Sequence, residues 1–295
     1  MTNSDNLRGA LCMMVAMAAF TLNDAAMKAV TETVPLFQAI AMRGIVTSGM
    51  LIFLGYKLGG FGHGISLHDK WLVGIRSVAE IGATLLFLLA LMHMPLANLS
   101  AIMQCLPLAV TLGAAFVFRD RIGWRRMSAI ALGLCGVLII LRPGAAGFDE
   151  WSAMGLGSVA CVVVRDLATR RLSREIPSVL VALTSALAVL AMGFVGMAVS
   201  GAKPVNLHDV IVVMAASTAL IAGYMFGVMA MRVGEVGFIA PFRYTSLIWA
   251  IGLGWLIFGT FPDWLTLLGA AIVIATGIFT LYRERKMAQL RRTAK

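Results

Sequence analysis

Charged side chains inside long apolar segments are the residues of this sequence best able to do chemistry. Seven can be picked out, four arginines and three acids: Arg43, Arg76, Arg165, Arg243, Asp24, Glu80 and Asp166. A charge at the centre of a bilayer costs about 2.5–3.5 kcal/mol on insertion scales, so none of them should face lipid. We expect them to face the interior of a helix bundle or a wet cavity, where they bind a substrate or each other.

Their spacing suggests partners. Residues four apart share one face of a helix. Three pairs have this spacing: Arg76 and Glu80, Asp24 and Lys28, and Asp166 and Arg170. We predict that the last two pairs belong to gates at opposite ends of the bundle; the alternative is charges at helix ends that reach the membrane interface.

Prolines interrupt two of the apolar segments. Pro107 and Pro241 each remove one amide donor, which frees a carbonyl and favours a helix kink. Kinked helices with freed carbonyls near a repeat interface are typical of substrate sites in carriers, although a purely structural kink has the same sequence. The predicted substrate-binding residues are Arg43, Arg76, Glu80, Gln104, Arg243 and Tyr244.

The elements that must position these residues are membrane-spanning helices. Of the 295 residues, 60% are hydrophobic and 13% are charged, and mean hydropathy is +0.91. A soluble domain has about 45–50% apolar and about 25% charged residues, so soluble, disordered and disulfide-scaffold classes are excluded. The apolar runs are too long for outer-membrane strands. Ten spans are predicted: Leu7–Val30, Leu36–Tyr56, Trp71–Met92, Ala97–Phe118, Trp124–Leu141, Ser152–Leu172, Ser178–Ser200, Asp209–Met231, Val236–Gly259 and Trp264–Tyr282.

The lysines and arginines at the ends of the spans and in their connections predict sidedness. Seventeen lie on one side of the predicted topology and three on the other. Because cytoplasmic loops are rich in cations, both termini are predicted to be cytoplasmic, in a bacterial-type inner membrane. The net charge of +10 is therefore a topology signal, and no nucleic-acid partner is expected.

The two halves of the chain repeat. Asp24, Lys28 and Pro35 recur as Asp166, Arg170 and Pro177, each shifted by 142 residues. Five spans are an odd number, so the second copy enters the membrane from the opposite side; inverted repeats of this kind are typical of alternating-access carriers. The predicted fold is all-α, with ten transmembrane helices in two inverted five-helix repeats, at 7–144 and 152–282, and a basic cytoplasmic tail at 283–295.

No catalytic machinery is evident in the sequence. It contains no phosphate-cradling loop, no metal-ligand spacing and no nucleophile constellation. We therefore expect no enzyme activity, no cofactor and no metal, and transport driven by a gradient rather than by ATP. The expected partners are a small-molecule substrate and the lipid bilayer, and a monomer is compatible with this architecture.

The chain resembles the EamA-type members of the drug/metabolite transporter superfamily. The resemblance rests on the run from Leu106-Pro107-Leu108 to Arg142-Pro143-Gly144 and on the run from Pro241-Phe242-Arg243-Tyr244-Thr245 to Arg283-Glu284. It implies a central cavity formed mainly by spans 1, 3, 4, 6, 8 and 9, and a carrier for amino acids or related metabolites. Two positions depart from the family pattern: Asp120-Arg121 where Glu-Arg is frequent, and Thr260 where a glutamate is frequent.

Three functional hypotheses follow. The first is a secondary carrier that exports amino acids or related small metabolites; four interior cations against three acids suit a zwitterion, with its carboxylate on an arginine and its ammonium on Glu80 or freed carbonyls. The second is uptake of a nucleotide-like or vitamin-like metabolite. The third is a membrane scaffold or sensor, which predicts fully paired interior charges and no cavity.

Overall fold

The computed structural model describes residues 3–57, 66–118, 123–142, 149–173, 175–233 and 236–293, and these form a bundle of helices. Side chains are described from residue 5, excluding 125–126, 236–237 and those beyond 283. The helices are α1 Asn3–Val30, α2 Leu36–Lys57, α3 Leu67–His93, α4 Leu96–Met103, α5 Leu106–Phe118, α6 Trp124–Leu141, α7 Glu150–Arg171, α8 Ser178–Ser200, α9 Leu207–Val233, α10 Val236–Ile239, α11 Thr245–Phe258 and α12 Trp264–Thr293.

Ten crossings account for these helices. In the described part of the chain, eight helical segments are long and apolar enough to span a membrane, with α4 and α5 together counting as one. The shorter α6 and the run from α10 to α11 complete the ten. The all-α fold of about ten membrane helices is therefore confirmed.

Contacts between helix ends show that successive crossings alternate in direction. We call the end of the bundle where α1 begins the near end, and the end where α1 finishes the far end. At the far end, Thr33 donates to Asp209 at 2.9 Å and Gln38 donates to the Lys203 carbonyl at 2.8 Å. At the near end, the Ser173 amide donates to Asp69 at 3.2 Å.

The helix pairings have the pattern expected when the two halves exchange. The most extensive contacts are α1 with α9, α3 with α7, α2 with α8, and α6 with α12. If the first five crossings change places with the last five, the pair of α1 with α9 becomes the pair of α7 with α3. The pair of α2 with α8 and the pair of α6 with α12 stay the same. The repeat boundaries at 7–144 and 152–282 stay a prediction that these pairings support.

Small residues allow the closest of these crossings. A Cβ added to Gly136 of α6 would lie 2.8 Å from the Gly269 carbonyl oxygen of α12, and one added to Gly193 of α8 would lie 2.8 Å from the Ala41 amide nitrogen of α2. Since real Cβ atoms essentially never come this close to backbone atoms, both positions need glycine. The absence of side chains at these glycines lets the backbones of α6 and α12, and those of α2 and α8, pack closely together.

The fourth and ninth crossings are interrupted beside their prolines. The fourth breaks at Gln104 and Cys105, and Pro107 is the second residue of α5. The ninth has a 3₁₀ segment, Ala240–Tyr244, between α10 and α11, with Pro241 at its start. A proline lacks the amide donor and clashes with the preceding turn, which explains both interruptions.

Some of the sequence-based predictions lie outside the described residues. These are Asp120-Arg121, the segment Pro143-Gly144 and the last two residues of the chain. The predicted tail is helical as far as Thr293, as the continuation of α12.

Candidate functional site

The interior charges are carried by helices that face one another across the bundle. Asp24 comes from α1, Arg43 from α2, Glu80 from α3, and Arg165 with Asp166 from α7. None of these five side chains belongs to a fully exposed residue. The contacts of α1 with α9, α2 with α8 and α3 with α7 bring them towards a common interior.

Arg165 binds two acids at once. Its Nη2 lies 2.9 Å from Asp166 Oδ1, and its Nη1 lies 3.4 Å from both carboxylate oxygens of Glu80. The side chains of Arg165 and Glu80 are 24% and 18% exposed, so the pair is largely shielded from solvent. Glu80 therefore forms its ion pair with Arg165, and it acts on Arg76, the partner expected within α3, electrostatically and without an ion pair among the described residues. Because α3 packs along α7, the cross-helix arginine reaches the Glu80 carboxylate instead.

Arg76 connects three helices through neutral acceptors. Its Nε donates to Thr169 Oγ1 on α7 at 2.9 Å, and its Nη1 donates to the Val181 carbonyl at 3.1 Å and to Ser185 Oγ, both on α8. Glu80 and Asp166 act on it electrostatically. The guanidinium thus keeps its positive charge at a place where three helices meet.

Arg43 and Asp24 form a looser charge pair. Arg43 interacts electrostatically with Asp24, Tyr224 and Glu80, and no carboxylate of the described residues lies within ion-pair distance of it. Asp24 Oδ1 accepts a hydrogen bond from Asn23 Nδ2 at 2.9 Å. The Asn23 side-chain oxygen is buried and has no hydrogen-bond partner. An arginine and a carboxylate that do not neutralise each other directly can each receive the opposite charge of a zwitterion.

Tyr224 on α9, which is 50% exposed, borders these charges and was missed by the sequence reasoning. It interacts electrostatically with Glu80 and with all three of Arg43, Arg76 and Arg165. Its ring meets Phe20 of α1 edge to face, with centroids 5.3 Å apart. The available signal was the Gly223–Gly227 pair: a Cβ on Gly223 would lie 2.7 Å from the Phe20 ring, so this glycine admits the aromatic contact.

The two predicted gate cations contact other helices. Lys28 Nζ donates to the carbonyls of Leu91 at 2.5 Å and Met94 at 2.9 Å, and lies 5.6 Å from the Phe258 ring centroid. Arg170 lies over the Phe118 ring at 4.8 Å. Among the described residues, α1 therefore presents Lys28 to the end of α3 instead of pairing it with Asp24, and the pairing of Asp166 with Arg170 stays a prediction.

The helix breaks hold the remaining predicted site residues. Gln104 Nε2 donates to the Tyr244 carbonyl at 3.2 Å and to Ser246 Oγ at 3.0 Å, which joins the break of the fourth crossing to that of the ninth. Arg243 is exposed and does not join the interior charges. Tyr244 is buried, and its hydroxyl, packed against Gly277, has no hydrogen-bond partner.

An apolar pocket of about 270 Å³ lies beside the ninth crossing. Its walls include Pro241, Phe242, Tyr244, Ile251 and, from α12, Ile274. The pocket lies against the break in the ninth crossing rather than among the charges of α1, α2, α3 and α7. In the part of the chain that the structure describes, no three His, Cys, Asp or Glu side chains are grouped so that they could hold a metal ion.

Comparison with known proteins places the chain among transporters. Residues 7–142 match the EamA-like transporter family. The chain is 24% identical to the pseudopaline exporter of Pseudomonas aeruginosa over 286 residues, which are 94% of this chain and 97% of that protein. It is 26% identical to a riboflavin transporter of Rhizobium johnstonii, over 75% of this chain and 74% of that protein. It is 23% identical to an S-adenosylmethionine uptake transporter of Rickettsia conorii, over 65% of each.

A solved crystal structure has the same fold. It matches with a TM-score of 0.61 and 20% sequence identity, and the match covers 95% of this chain and 98% of the other. The apolar helices and the family match indicate a multi-pass membrane protein, and the names of the similar proteins are those of transporters rather than of enzymes. The first half of the chain thus matches the EamA-like transporter family, and the chain is similar to transporters of the drug/metabolite transporter superfamily.

Proposed function

We propose that this protein is a secondary transporter that exports amino acids or related small metabolites by alternating access. The observation that carries the substrate class is Arg43, an interior guanidinium that acts on Asp24 without an ion pair among the described residues. A charge held inside a membrane bundle without a close partner is costly, so its retention favours a role in binding. The substrate's carboxylate binds Arg43, and its ammonium binds Asp24 or Glu80.

The charge balance supports a zwitterionic substrate. Arg43, Arg76 and Arg165 are matched by Asp24, Glu80 and Asp166, since the exposed Arg243 lies apart from them. A zwitterion enters such a site without changing its net charge, whereas a multiply charged anion would need further unpaired cations. Phe20 and Tyr224 supply an apolar wall beside these charges.

Repeat-equivalent contacts at the two ends support the gate assignment. Lys28 and Arg170 differ by 142 residues, and the rings that they contact, Phe258 and Phe118, differ by 140. The first contact joins the first crossing to the ninth at the far end, and the second joins the sixth to the fourth at the near end. A carrier that opens alternately needs such a pair of closures, one at each end.

Direction and location complete the proposal. The pseudopaline exporter, which matches over nearly its whole length, favours export, and the excess of cations in the near-end loops favours cytoplasmic termini in an inner membrane. The riboflavin and S-adenosylmethionine transporters favour the alternative of uptake of a vitamin-like or nucleotide-like compound. Efflux from vesicles loaded with a labelled substrate and uptake by empty vesicles are measured to distinguish the two directions.

The test is transport by purified protein in liposomes. The vesicles are loaded with a ³H-labelled mixture of the twenty common amino acids, and efflux is followed with and without a pH gradient. We expect efflux above that of protein-free vesicles, and loss of most of it in Arg43→Gln, while the exposed near-end variant Arg232→Gln keeps it. Riboflavin and S-adenosylmethionine are run in parallel. If riboflavin or S-adenosylmethionine is transported and no amino acid is, the proposed substrate class is refuted. If none of these compounds is transported, the scaffold hypothesis is favoured.

A further inference from the structure

The two halves carry the same acid but not the same arginine. Shifting the first half by 142 residues converts Asp24 into Asp166 and Asn23 into Arg165, but it converts Arg43 of α2 into Ser185 of α8. A strict repeat of the Asp24–Arg43 pair would therefore lack its guanidinium in the second half. The structure shows a cation at that position all the same.

Arg76 supplies the missing guanidinium from a different helix. Its Nη1 donates to Ser185 Oγ, the position equivalent to Arg43, and to the Val181 carbonyl one turn earlier at 3.1 Å. It interacts electrostatically with Asp166, as Arg43 does with Asp24. Arg43 lies on α2 and Arg76 lies on α3. The two arginines therefore occupy similar positions in the fold, although they are not aligned in the sequence repeat.

These two places lie at different depths. Asp24 is six residues before the end of α1 at the far end, and Asp166 is five residues before the end of α7 at the near end. At 1.5 Å per residue in a hydrocarbon layer of about 30 Å, the two acids lie roughly 15 Å apart along the membrane normal. Tyr224 and Glu80 interact electrostatically with the arginines of both places.

We propose that Arg43 and Arg76 are two carboxylate-binding stations that a small zwitterion or monocarboxylate occupies in turn as it crosses the protein. The ligand class rests on the proposed function. Both stations carry no net charge: Arg43 faces Asp24 at the far station, and Arg76 with Arg165 faces Glu80 with Asp166 at the near station. A zwitterion therefore exchanges between them without leaving uncompensated charge behind.

Arg76 is free to receive a carboxylate because its present acceptors are neutral. Two hydroxyls and one carbonyl accept its hydrogen bonds, and no carboxylate of the described residues lies within ion-pair distance. Arg165, by contrast, already holds Glu80 and Asp166. A substrate carboxylate at the near station thus has one guanidinium available to it.

The test measures entry from each side separately. Arg43→Gln and Arg76→Gln are placed in vesicles of uniform orientation, and the KM for the amino acid that gives the largest flux in the liposome assay is measured from the near and far sides. Since a charge-assisted hydrogen bond is lost, Arg76→Gln is expected to raise the near-side KM about 10-fold or more with a far-side change below about twofold. Arg43→Gln is expected to show the reverse. Equal effects of both variants from both sides would mean one site and would overturn the proposal.

A relocated charge separates binding from a merely structural role. The double variant Arg76→Gln/Ser185→Arg returns the guanidinium to α8, at the position equivalent to Arg43, while the three-helix contact made by Arg76 stays broken. Recovery of the near-side KM supports a station, and failure of recovery in a protein that folds and still admits substrate from the far side overturns it. If Arg76→Gln does not accumulate in the membrane, Arg76→Lys is used instead, because it keeps the positive charge. The near-side KM of Arg76→Lys is expected to be like that of wild type.

A transport-independent measurement keeps this proposal distinct from the proposed function. Arginine modification by phenylglyoxal is mapped by mass spectrometry with and without propionate, a bare monocarboxylate. Protection of both Arg43 and Arg76, with Arg232 unprotected, supports two stations even if no amino acid is transported. Protection of Arg43 alone would overturn the second station.

Discussion

Removing Arg165 should destabilise this protein far more than removing Glu80, although the two side chains form one ion pair. Glu80→Gln leaves Arg165 with Asp166, at 2.9 Å, so Arg165 keeps a carboxylate partner. Arg165→Gln leaves Glu80 and Asp166 together without their cation. Breaking a buried pair so that an uncompensated charge remains costs about 3–5 kcal/mol.

The contact geometry sets the size of the effect. Two unit charges separated by the 3.4 Å between Arg165 and Glu80 attract by about 5 kcal/mol at an effective dielectric constant of about 20. Desolvation offsets most of this attraction, and the pair is 24% and 18% exposed, so we expect a coupling free energy of about 1–2 kcal/mol. Glu80→Gln should then cost about 1–2 kcal/mol, and Arg165→Gln about 3 kcal/mol or more.

A double-mutant cycle measures these quantities. The free energy of unfolding is determined by SDS titration of wild type, the two single variants and Glu80→Gln/Arg165→Gln in detergent micelles. Glu175→Gln, at an exposed near-end position, serves as the control and should change stability by less than about 0.5 kcal/mol. Equal losses in the two single variants, or a coupling near zero, would contradict the reasoning that Arg165 is the shared cation.

Three further predictions concern packing and closure. Gly136→Leu should destabilise the protein by about 1–3 kcal/mol in the same titration, because its Cβ meets the Gly269 carbonyl, whereas Gly74→Ala, with nothing within 4 Å of its added Cβ, should be neutral. Gln104→Leu should cost about 1–3 kcal/mol through the two hydrogen bonds that it loses at the interrupted ninth crossing, with a cost near zero contradicting this. Lys28→Met should release the far-end closure, so that a membrane-impermeant thiol reagent added from the far side labels an Asp24→Cys reporter faster; an unchanged rate would contradict the gate assignment.

The spans were predictable because their signal is local. Long apolar runs end at charged or proline-flanked turns, and the observed helices begin and end within a few residues of the predicted bounds, except that α12 continues eleven residues past Tyr282 to Thr293. The third span begins at Leu67 rather than Trp71, since Ser66 caps the helix by accepting from the Asp69 amide. The breaks were predicted from Pro107 and Pro241, but their extent was not: the first precedes its proline, and the second is a five-residue 3₁₀ segment.

The charge partners were not predictable from spacing, because helix packing decides them. The four-residue spacing placed Arg76 beside Glu80, but α3 lies along α7, where Arg165 offers a nearer cation. Long arginine and lysine side chains reach across to other helices, so a same-face rule derived from isolated helices loses to tertiary contacts. Tyr224 was missed for a related reason: a single tyrosine in an apolar span carries no periodic signal, and only the position of α9 against α1 gives it neighbours.

The contact of Gln104 with Tyr244 and the contacts of Lys28 and Arg170 would respond differently if the two halves of the chain exchanged conformations. Gln104 and Tyr244 are 140 residues apart, as Phe118 and Phe258 are, and they touch each other. If the proposed pseudo-two-fold axis relates the halves, residues that contact their own repeat equivalents lie near it and keep their partners when the halves exchange conformations. The contacts of Lys28 and Arg170 lie off the axis and exchange with each other. The Gln104 contact therefore suits a pivot, and the terminal cations suit the moving closures on either side of it.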